Sequence, residues 1–446
     1  MSVDFQKTVE ELYSLIDYER VVNPGPYQTN ESHLEKYRAV LANRGNPQFR
    51  YRTIHIAGSK GKGSTSAVCE SILRAGGLKT GLYTSPHLVD IRERIRIDGK
   101  LISREIFARK VSELIEYARE IGVPKGYRTV FEILTAAAFE IFAENGVEIA
   151  VIEAGLGGKL DATNVLHPSA TVITPIGLDH TEILGNTVQE IAADKAQIFR
   201  NGVPVILGPQ LFAAREVLAD YASEAGAPIK YELSKSVLIS SLKQDSEGTE
   251  FDLEIDEKIY RQLRIPLLGK YQTVNTAIAV ATICSLRECG IEVKETAIRE
   301  GLSKVRWPGR MHLFRGEPEI LIDGAHSPMA VESLLESIRG IWPGKRLITI
   351  FAANRDKDLE GMISQIAPET HKLILTRFDW PRAARPEEIA KFLGEGTEAT
   401  RCETLASALE IAKEEALPTD LILITGSLYL VGEALKQMNF DPDTAV

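Results

Sequence analysis

The chain has 446 residues, 44% of them hydrophobic and 26% charged, so it holds enough apolar surface to bury a large core. This length predicts two or three lobes rather than one ordinary core. The 52 basic and 62 acidic side chains give a net charge of −10, which excludes a global basic field for nucleic acid. The composition also excludes a collagen, a fibre and a disordered chain.

Cysteine usage and apolar runs predict the cellular compartment. The four cysteines, Cys69, Cys284, Cys289 and Cys402, form no C-x-x-C pair and are too few for a disulfide framework, which indicates reduced thiols. No run of 18 apolar residues predicts a membrane span, and the N-terminus, MSVDFQKTVEEL, lacks the apolar stretch of a signal peptide. We therefore expect a cytoplasmic protein with no nucleic-acid and no membrane partner.

Short β-branched runs alternate with helical patterns along most of the chain, which predicts a parallel sheet covered on both faces. In the first two thirds, buried strands are predicted at 53–57, 149–152, 170–173 and 203–207. Helices are predicted at 64–75, 103–121, 130–144 and 274–289. Residues 237–263 alternate polar and apolar side chains around Glu247-Gly248, which predicts an antiparallel meander.

The alternation of strands and helices restarts after the turn Trp307-Pro308-Gly309, with strands expected near 319–322, 346–351, 372–376 and 420–425. We place a domain boundary near 303–312 and predict lobes of residues 1–305 and 306–446. The predicted fold class is α/β with two Rossmann-like lobes. The N-terminal P-loop ATPase lobe has a mostly parallel sheet plus a small antiparallel sheet, and the C-terminal α/β lobe is smaller.

The strongest local signal is a glycine-rich loop between a predicted strand and a predicted helix: Gly58, Ser59, Lys60, Gly61, Lys62, Gly63, Ser64 and Thr65. Glycines let backbone N–H groups approach a triphosphate, and the helix N-terminus adds a favourable partial charge. Lys62 can reach the β- and γ-phosphates, and Ser64 or Thr65 can cap them. The loop is shorter than the general P-loop, and Gly63 separates the lysine from the hydroxyl. It predicts a nucleotide site.

This loop and ten further blocks resemble the folylpolyglutamate synthase and dihydrofolate synthase family of the Mur-ligase superfamily, in the family's order. The blocks are HIAGSKGKGSTSA (55–67), YTSPHLVDIRERIRIDG (83–99), FEILTAAAF (131–139), IEAGLGGKLDATNV (152–165), ITPIGLDHTEILGNT (173–187), IAADKAQIF (191–199), GKYQTVNTAIA (269–279), WPGRM (307–311), DGAHSP (323–328), PRAARPEE (381–388) and TGSLYLVGE (425–433). They cover most of the chain.

The resemblance implies an ATP-dependent ligase that adds L-glutamate to folates, and to dihydropteroate, through an acyl phosphate. ATP is then the co-substrate, with a folate or dihydropteroate and L-glutamate as the other partners, and the family implies a monomer. Because the first step brings a carboxylate against a triphosphate, positive charge from lysine and a divalent cation is required. The residues leave open which pteroyl substrate is preferred and whether glutamate joins through its α- or γ-carboxyl.

Metal ligands are expected where strands end, because open α/β sheets bind ligands at the carboxyl ends of their strands. Ser85, Glu153 and His180 each follow a predicted strand, and the resemblance implies that they bind Mg²⁺, with Mn²⁺ as a substitute. It also implies that Lys195 is carbamylated, which turns an ammonium into a carboxylate and requires a depressed pKa. Lys62, His180 and Lys195 are the expected catalytic residues.

The remaining sites follow from the resemblance alone. It implies ATP contacts at Asn275, Arg310 and Asp323, and second-lobe or glutamate contacts at His326 and Ser427. Pterin-substrate contacts are implied at Thr129, Phe131, Glu132, Leu160, Asp161 and Ala162. Pro86 and His87 open a loop that resembles the family's mobile loop, and the basic residues after it, Arg92, Arg94 and Arg96, are expected to steer an anionic polyglutamate tail.

Two other functions fit parts of the sequence. The same scaffold could act on a UDP-sugar peptide, as peptidoglycan ligases do, but no separate UDP-binding lobe precedes the phosphate loop. A non-catalytic nucleotide-binding module would need vestigial metal and lysine positions, yet all of them are present. ATP consumption that depends on both a pteroyl substrate and L-glutamate separates the three hypotheses.

Overall fold

The computed structural model describes residues 4–17, 31–121, 129–394 and 396–444. Three sheets of eight, three and six strands organise this part of the chain. The predicted fold class is confirmed: a mostly parallel sheet and a small antiparallel sheet precede a C-terminal α/β lobe. None of the described helices is long and apolar enough to cross a bilayer.

The first sheet forms because its strands are short, β-branched and buried on both faces, as parallel strands are. Its strands are β1 (Arg52–Ala57), β2 (Thr80–Tyr83), β3 (Ile95–Ile97), β4 (Lys100–Leu101), β5 (Ile149–Glu153), β6 (Ala170–Ile173), β7 (Val205–Leu207) and β8 (Ile229–Glu232). Their spatial order is β4-β3-β2-β5-β1-β6-β7-β8, and all pair in parallel except β3 and β4. The expected parallel sheet thus carries an antiparallel edge, and β1 lies between β5 and β6.

Helices cover both faces of this sheet. They are α1 (Phe5–Tyr13), α2 (Glu31–Asn43), α3 (Lys62–Ala75), α4 (Arg104–Glu120), α5 (Val130–Glu144), α6 (Thr181–Leu184), α7 (Val188–Ala196), α8 (Phe212–Ala225), α9 (Leu233–Ser236), α10 (Tyr271–Ser285) and α11 (Glu295–Lys304). Side chains alternate along the strands, so Val151 of β5 packs in the core with α3 and α10 while Ile152 packs in the core with α4 and α5. This fixes the strands between two helical layers.

The expected meander is confirmed as a three-stranded antiparallel sheet of β9 (Val237–Asp245), β10 (Gly248–Ile255) and β11 (Lys258–Ile265). Alternate residues of β10 are buried against the core that contains α10, which explains the alternating sequence pattern.

The third sheet belongs to the C-terminal lobe. It contains β12 (His312–Phe314), β13 (Glu319–Asp323), β14 (Leu347–Phe351), β15 (Lys372–Leu375), β16 (Ala399–Arg401) and β17 (Leu421–Thr425) in the order β12-β13-β17-β14-β15-β16, with only β12 antiparallel. Its helices are α12 (Pro328–Ile341), α13 (Leu359–Glu369), α14 (Pro386–Ala390), α15 (Leu405–Glu415) and α16 (Leu428–Gln437). The boundary at 305/306 stays a prediction; it falls between the last residue of α11 and the first residue of β12.

One predicted boundary is wrong in a way that concerns the site. The helix expected from Val274 to Cys289 begins at Tyr271, and its last four residues form a separate 3₁₀ turn, Leu286–Cys289. Asn275 therefore lies in the second turn of α10 rather than at its start. No capping residue marks the start of α10, because Lys270 precedes the helix without a side-chain cap hydrogen bond.

Candidate active site

A cavity of about 660 Å³ lies between the lobes, at the carboxyl ends of β1, β2, β5 and β6. This volume is typical of small-molecule sites. Most of the predicted site residues line it: Ser59, Lys60, Gly61, Lys62, Gly63, Ser64, Ser85, Pro86, Thr129, Phe131, Glu132, Glu153, Leu160, Asp161, Ala162, His180, Asn275, Arg310, Asp323, His326 and Ser427. The fold therefore brings together residues that are as much as 368 positions apart in the sequence (59 to 427).

The glycine-rich loop turns sharply from β1 into α3. Gly58 has φ +145°, and a β-carbon added there would lie 1.9 Å from Thr174 Oγ1. The backbone N–H of Ser59 and that of Lys60 both donate to the Pro175 carbonyl. The loop is thus pinned to the segment after β6, and α3 begins at Lys62, which presents its positive N-terminal end to the cavity.

Four predicted residues do not line the cavity: Gly58, Thr65, His87 and Lys195. Thr65 is fully buried, its N–H donates to the Gly61 carbonyl at 2.9 Å, and its hydroxyl has no hydrogen-bond partner among the described residues, so the expected phosphate cap by this hydroxyl stays a prediction. His87 Nδ1 accepts from Arg94 Nε at 2.9 Å. Lys195 is 4% exposed and lies in the last turn of α7, behind the loop that follows β5.

Glu153, the last residue of β5, is 3% exposed on the cavity wall. Its Oε2 accepts the backbone N–H of Ser85 at 3.0 Å and lies near the Gly63 backbone. Burial raises the pKa of Glu153, while the charges of Lys62, Arg310 and Arg94 oppose that shift. A carboxylate held in this way can accept further hydrogen bonds or a cation.

Asp179, which the sequence reasoning did not single out, joins the two lobes. One carboxylate oxygen lies 3.5 Å from Lys60 Nζ of the phosphate loop, and the other lies 3.8 Å from Lys357 Nζ of the C-terminal lobe. Burial alone would raise the pKa of Asp179, but the charges of Lys60, His180 and Lys357 outweigh it and hold the pKa well below its usual range. Asp179 therefore stays ionised between two lysines.

His180 follows Asp179 with a left-handed backbone, φ +51°, and a side chain that is 46% exposed. Desolvation by the cavity walls and the charges of Lys357, Lys62 and Lys195 lower the pKa of His180 to about 4. The imidazole is therefore neutral at pH 7, which is the form that binds metals.

The far end of the cavity is built around the start of α5. Thr129 caps this helix, and Glu132 completes the capping box while pairing with His33 of α2. Phe131 packs so closely on Gly155 that an added β-carbon would lie 2.5 Å from its ring, and it packs on Tyr83 at 5.8 Å between ring centroids.

Asp161 is buried beneath this end of the cavity, and hydrogen-bond donors from nearby residues satisfy its carboxylate. It accepts from the backbone N–H of Leu156 and from the Thr163 hydroxyl, and burial raises its pKa. The Thr163 hydroxyl in turn lies 2.7 Å from His55 Nε2 in β1. Asp161 therefore shapes the loop 155–162, whose residues Leu160 and Ala162 also line the cavity.

The C-terminal lobe contributes Asp323 and His326 after β13 and Ser427 after β17. Asp323 accepts the backbone N–H groups of Met311 and Ala325, both at 2.8 Å, and burial raises its pKa. Burial and the charge of Lys60 lower the pKa of His326 to about 3, so this imidazole is neutral. The structure adds Asn354, Lys357 and Arg382, which follow β14 and β15; their positions after buried strands were the one available signal.

The basic residues of the loop after Ser85 are not the exposed run that was expected. Arg92, Arg94 and Arg96 are all less than 9% exposed. Arg92 pairs with Asp90 and Asp443, and only Arg94 of the three lines the cavity. Long-range steering of an anionic tail by all three is therefore wrong, because buried and paired guanidinium groups project little field into solvent.

The residues expected to hold a divalent cation do not form a preformed cage: no three His, Cys, Asp or Glu side chains cluster for this purpose in the described ranges. Their chemistry nevertheless fits Mg²⁺, which keeps several waters and binds through one or two carboxylates plus substrate phosphates. Glu153 supplies a buried carboxylate beside the phosphate loop, and Ser85 is held against it.

Models of known families and known proteins match this chain over most of its length. The Mur ligase middle domain matches residues 56–283, and the Mur ligase glutamate ligase domain matches residues 309–428. A Bacillus subtilis protein named dihydrofolate synthase/folylpolyglutamate synthase is 34% identical over 411 residues, which cover 91% of this chain and 94% of that protein. The chain belongs to the folylpolyglutamate synthase and dihydrofolate synthase family.

Solved structures agree with this family. Mycobacterium tuberculosis folylpolyglutamate synthase complexed with ADP and AMPPCP has a TM-score of 0.88 and 28% identity, covering 98% of this chain and 100% of that one. E. coli FolC in complex with DHPP and ADP has a TM-score of 0.83 and 28% identity, covering 97% of each chain. As a folylpolyglutamate synthase/dihydrofolate synthase family member, the chain is an ATP-dependent ligase of the folate synthase type.

Proposed function

We propose that this enzyme adds L-glutamate to folates, and to dihydropteroate, at the expense of ATP. The observation that carries the proposal is one cavity with three distinct walls: the glycine-rich phosphate loop, an aromatic slot around Phe131, and Lys357 and Arg382 of the C-terminal lobe. Three reactants can therefore meet in it. Family membership favours a pteroyl acceptor over a UDP-sugar peptide and argues against a non-catalytic module.

ATP would bind with its phosphates on the loop 58–64 and at the start of α3. Lys62 is the first residue of that helix, and Arg310 approaches from the segment that joins the lobes. Asn275 borders the loop, and Asp323, at the end of β13, would contact the ribose. A guanidinium and an ammonium on opposite sides suit a triphosphate that gains charge during transfer.

Mg²⁺, with Mn²⁺ as a substitute, would be held by Ser85, Glu153 and His180, and by Lys195 once this side chain is carbamylated. When bound, the cation neutralises phosphate charge that lysine alone does not balance. Burial and the charge of Lys62 lower the pKa of Lys195 to about 7, so part of this amine is neutral near pH 7. A neutral, buried amine is what reaction with CO₂ requires.

The pteroyl group would enter between Phe131 and the loop 155–162. Phe131 offers a flat apolar face, while Thr129 and Glu132 hold the start of α5 in place by their capping box. Leu160 and Ala162 close the other wall, and Pro86 approaches from the loop after β2. His87 follows Pro86 outside the cavity lining, so its substrate contact stays a prediction. The substrate carboxylate would then point from this slot toward the phosphate loop.

L-Glutamate would bind against the C-terminal lobe, where His326 and Ser427 are joined by Lys357 and Arg382. In the first step the pteroyl carboxylate oxygen attacks the γ-phosphorus of ATP and ADP leaves. In the second step the neutral glutamate amine attacks the acyl carbon, the amide bond forms, phosphate leaves and the amine loses a proton. Lys62 and Arg310 stabilise the charge on the transferred phosphoryl group.

A coupled phosphate-release assay tests the proposal. Purified enzyme with ATP and Mg²⁺ receives pteroate, tetrahydrofolate or a UDP-linked acceptor, each with and without L-glutamate. Phosphate release that requires both a pteroyl acceptor and glutamate is expected. Phosphate release with the UDP-linked acceptor but with no pteroyl acceptor, or no phosphate release with any acceptor, would overturn the proposal. The monomeric state and the cytoplasmic location remain predictions, for which light scattering and cell fractionation are the measurements.

A further inference from the structure

The loop from Pro86 to Arg94 is braced internally. The Glu93 carboxylate accepts the backbone N–H groups of Leu88, Val89 and Asp90 at 2.7–3.0 Å. Asp90 caps the short 3₁₀ helix Ile91–Arg94 in a reciprocal capping box with Glu93. These bonds tie three consecutive backbone N–H groups to one carboxylate and so brace the middle of the loop.

Leu88 anchors this loop in the C-terminal lobe. It fits between two glycines: a β-carbon added at Gly432 of α16 would lie 2.1 Å from the Leu88 carbonyl oxygen, and one added at Gly309 would lie 2.8 Å from Leu88 Cδ1. Leu88 also packs on the apolar cluster that includes Leu430 and Val431. These contacts of Leu88 with Gly309 and Gly432 are so close that they persist only while the two lobes keep their present separation.

A charged contact supports the same docking. The Arg92 guanidinium donates to Asp443, near the C-terminus, at 2.9 and 3.2 Å. Arg92 also donates to Asp90 and to the Ile102 carbonyl, so the guanidinium retains partners if Asp443 is changed. The Asp443 side chain is 52% exposed and adds a modest, separable contribution.

The other end of the loop contacts the active site. The Ser85 N–H donates to Glu153 Oε2 at 3.0 Å, and Arg94, which lines the cavity, donates to His87 Nδ1 at 2.9 Å. A continuous set of contacts therefore runs from Gly432 through Leu88 and the Glu93 brace to Ser85 and Glu153.

We propose that Leu88 is a positioning residue that makes the placement of Ser85 beside Glu153 depend on the docked C-terminal lobe. Leu88 touches no reactant; it acts through the loop. The role rests on the proposed ligase activity. On this proposal, phosphoryl transfer is supported only when the two lobes are docked. If Leu88 loses its contacts with Gly309 and Gly432, the Ser85 N–H also loses its hydrogen bond to Glu153.

The test compares Leu88→Ala with Glu247→Gln. Glu247 pairs with Arg315 of the C-terminal lobe, so the control breaks an interlobe contact that does not involve the loop. Leu88→Ala should lower kcat at least tenfold, change the Kd for ADP less than threefold, and speed amide hydrogen exchange in the peptide that holds Ser85. Glu247→Gln should change none of the three.

Asp443→Asn is the second variant, because an exposed tail carboxylate can be neutralised without unfolding the chain. It should lower kcat two- to fivefold with the same faster exchange at Ser85, and Leu88→Met should restore most of the activity lost in Leu88→Ala. Unchanged kcat and unchanged exchange in both Leu88→Ala and Asp443→Asn would overturn the inference. An inactive wild type would instead overturn the ligase proposal.

Discussion

The side-chain oxygen of Asn275 lies against the α-carbon of Gly61, so closely that a β-carbon added at Gly61 would come within 2.2 Å of it. Gly61 also has φ +83°, in the left-handed region. Two separate requirements, backbone conformation and clearance, therefore keep glycine at the turn before Lys62. Helix α10 thus shapes a loop that lies more than 200 residues earlier in the chain.

Gly61→Ala should weaken ADP binding at least tenfold, because the loop must move away from Asn275. Gly77→Ala is the matched control: Gly77 has φ +85° but nothing within 4 Å of an added β-carbon. Both variants should lose about 1–2 kcal/mol of stability from left-handed strain. Titration calorimetry with ADP and thermal melts measure the two effects, and equal ADP affinities for the two variants would contradict the prediction.

Lys62→Ala should reduce kcat about 10²- to 10³-fold, the range found when one preorganised electrostatic group is removed. The melting temperature should change little, because Lys62 makes no ion pair with the residues described here. Lys79→Ala, which removes an exposed lysine just beyond the other end of α3, should leave kcat unchanged. A loss of stability as large as the loss of turnover would make Lys62 a structural residue.

The stability of the enzyme should fall as the pH drops below 6.5, in part because of His55. Burial and the charge of Arg200 lower the pKa of His55 to about 3. Between pH 6.5 and pH 3, His55 is therefore protonated in the unfolded chain but neutral in the folded chain. Stability from this residue is full above pH 6.5 and is lost toward pH 3, about 2 kcal/mol by pH 5.

His55→Gln keeps a polar group near the Thr163 hydroxyl but removes the titration, so its free energy of unfolding should depend less on pH between 7 and 5. His167→Gln changes an exposed histidine and is the control. Denaturant unfolding at several pH values gives the slopes. Identical slopes for wild type and His55→Gln would show that His55 is not the acid-sensitive group.

Lys195 should carry a carbamate when the enzyme is kept in bicarbonate. Alkylation that traps the carbamate as an ester, followed by peptide mass spectrometry, should locate it on Lys195. Lys110 is an internal control: it is 2% exposed, but hydrogen bonds to Glu140 and Glu144 outweigh burial and raise its pKa, so its amine stays charged. Trapping at both lysines, or at neither, would contradict the assignment.

Local pattern was enough to predict the central parallel strands and the meander, because each is buried on both faces or on alternate residues. The spacing of Thr187 and Glu190 is that of a capping box, and this box opens α7. The strands at or next to the sheet edges, β3, β4, β8, β12 and β16, were not predicted, because each has only two to four residues and shows too little periodicity.

The site was predicted where a residue follows a buried strand or belongs to a motif, as Glu153 and Lys62 do. Asp179 and Lys357 were missed because their importance lies in a contact between lobes, and nothing in the local sequence encodes their 3.8 Å approach. The burial of Arg92 was missed for the same reason: its partner Asp443 is 351 residues away in the sequence.

The ring of Trp307 lies against the start of α3, where a β-carbon added at Gly63 would come within 2.7 Å of it. The chain has only three tryptophans, and the other two, Trp342 and Trp380, belong to the C-terminal lobe. Replacing those two with phenylalanine would leave one indole at the hinge, touching the helix that receives the nucleotide. The intrinsic fluorescence of Trp307 would then report nucleotide binding without an attached dye.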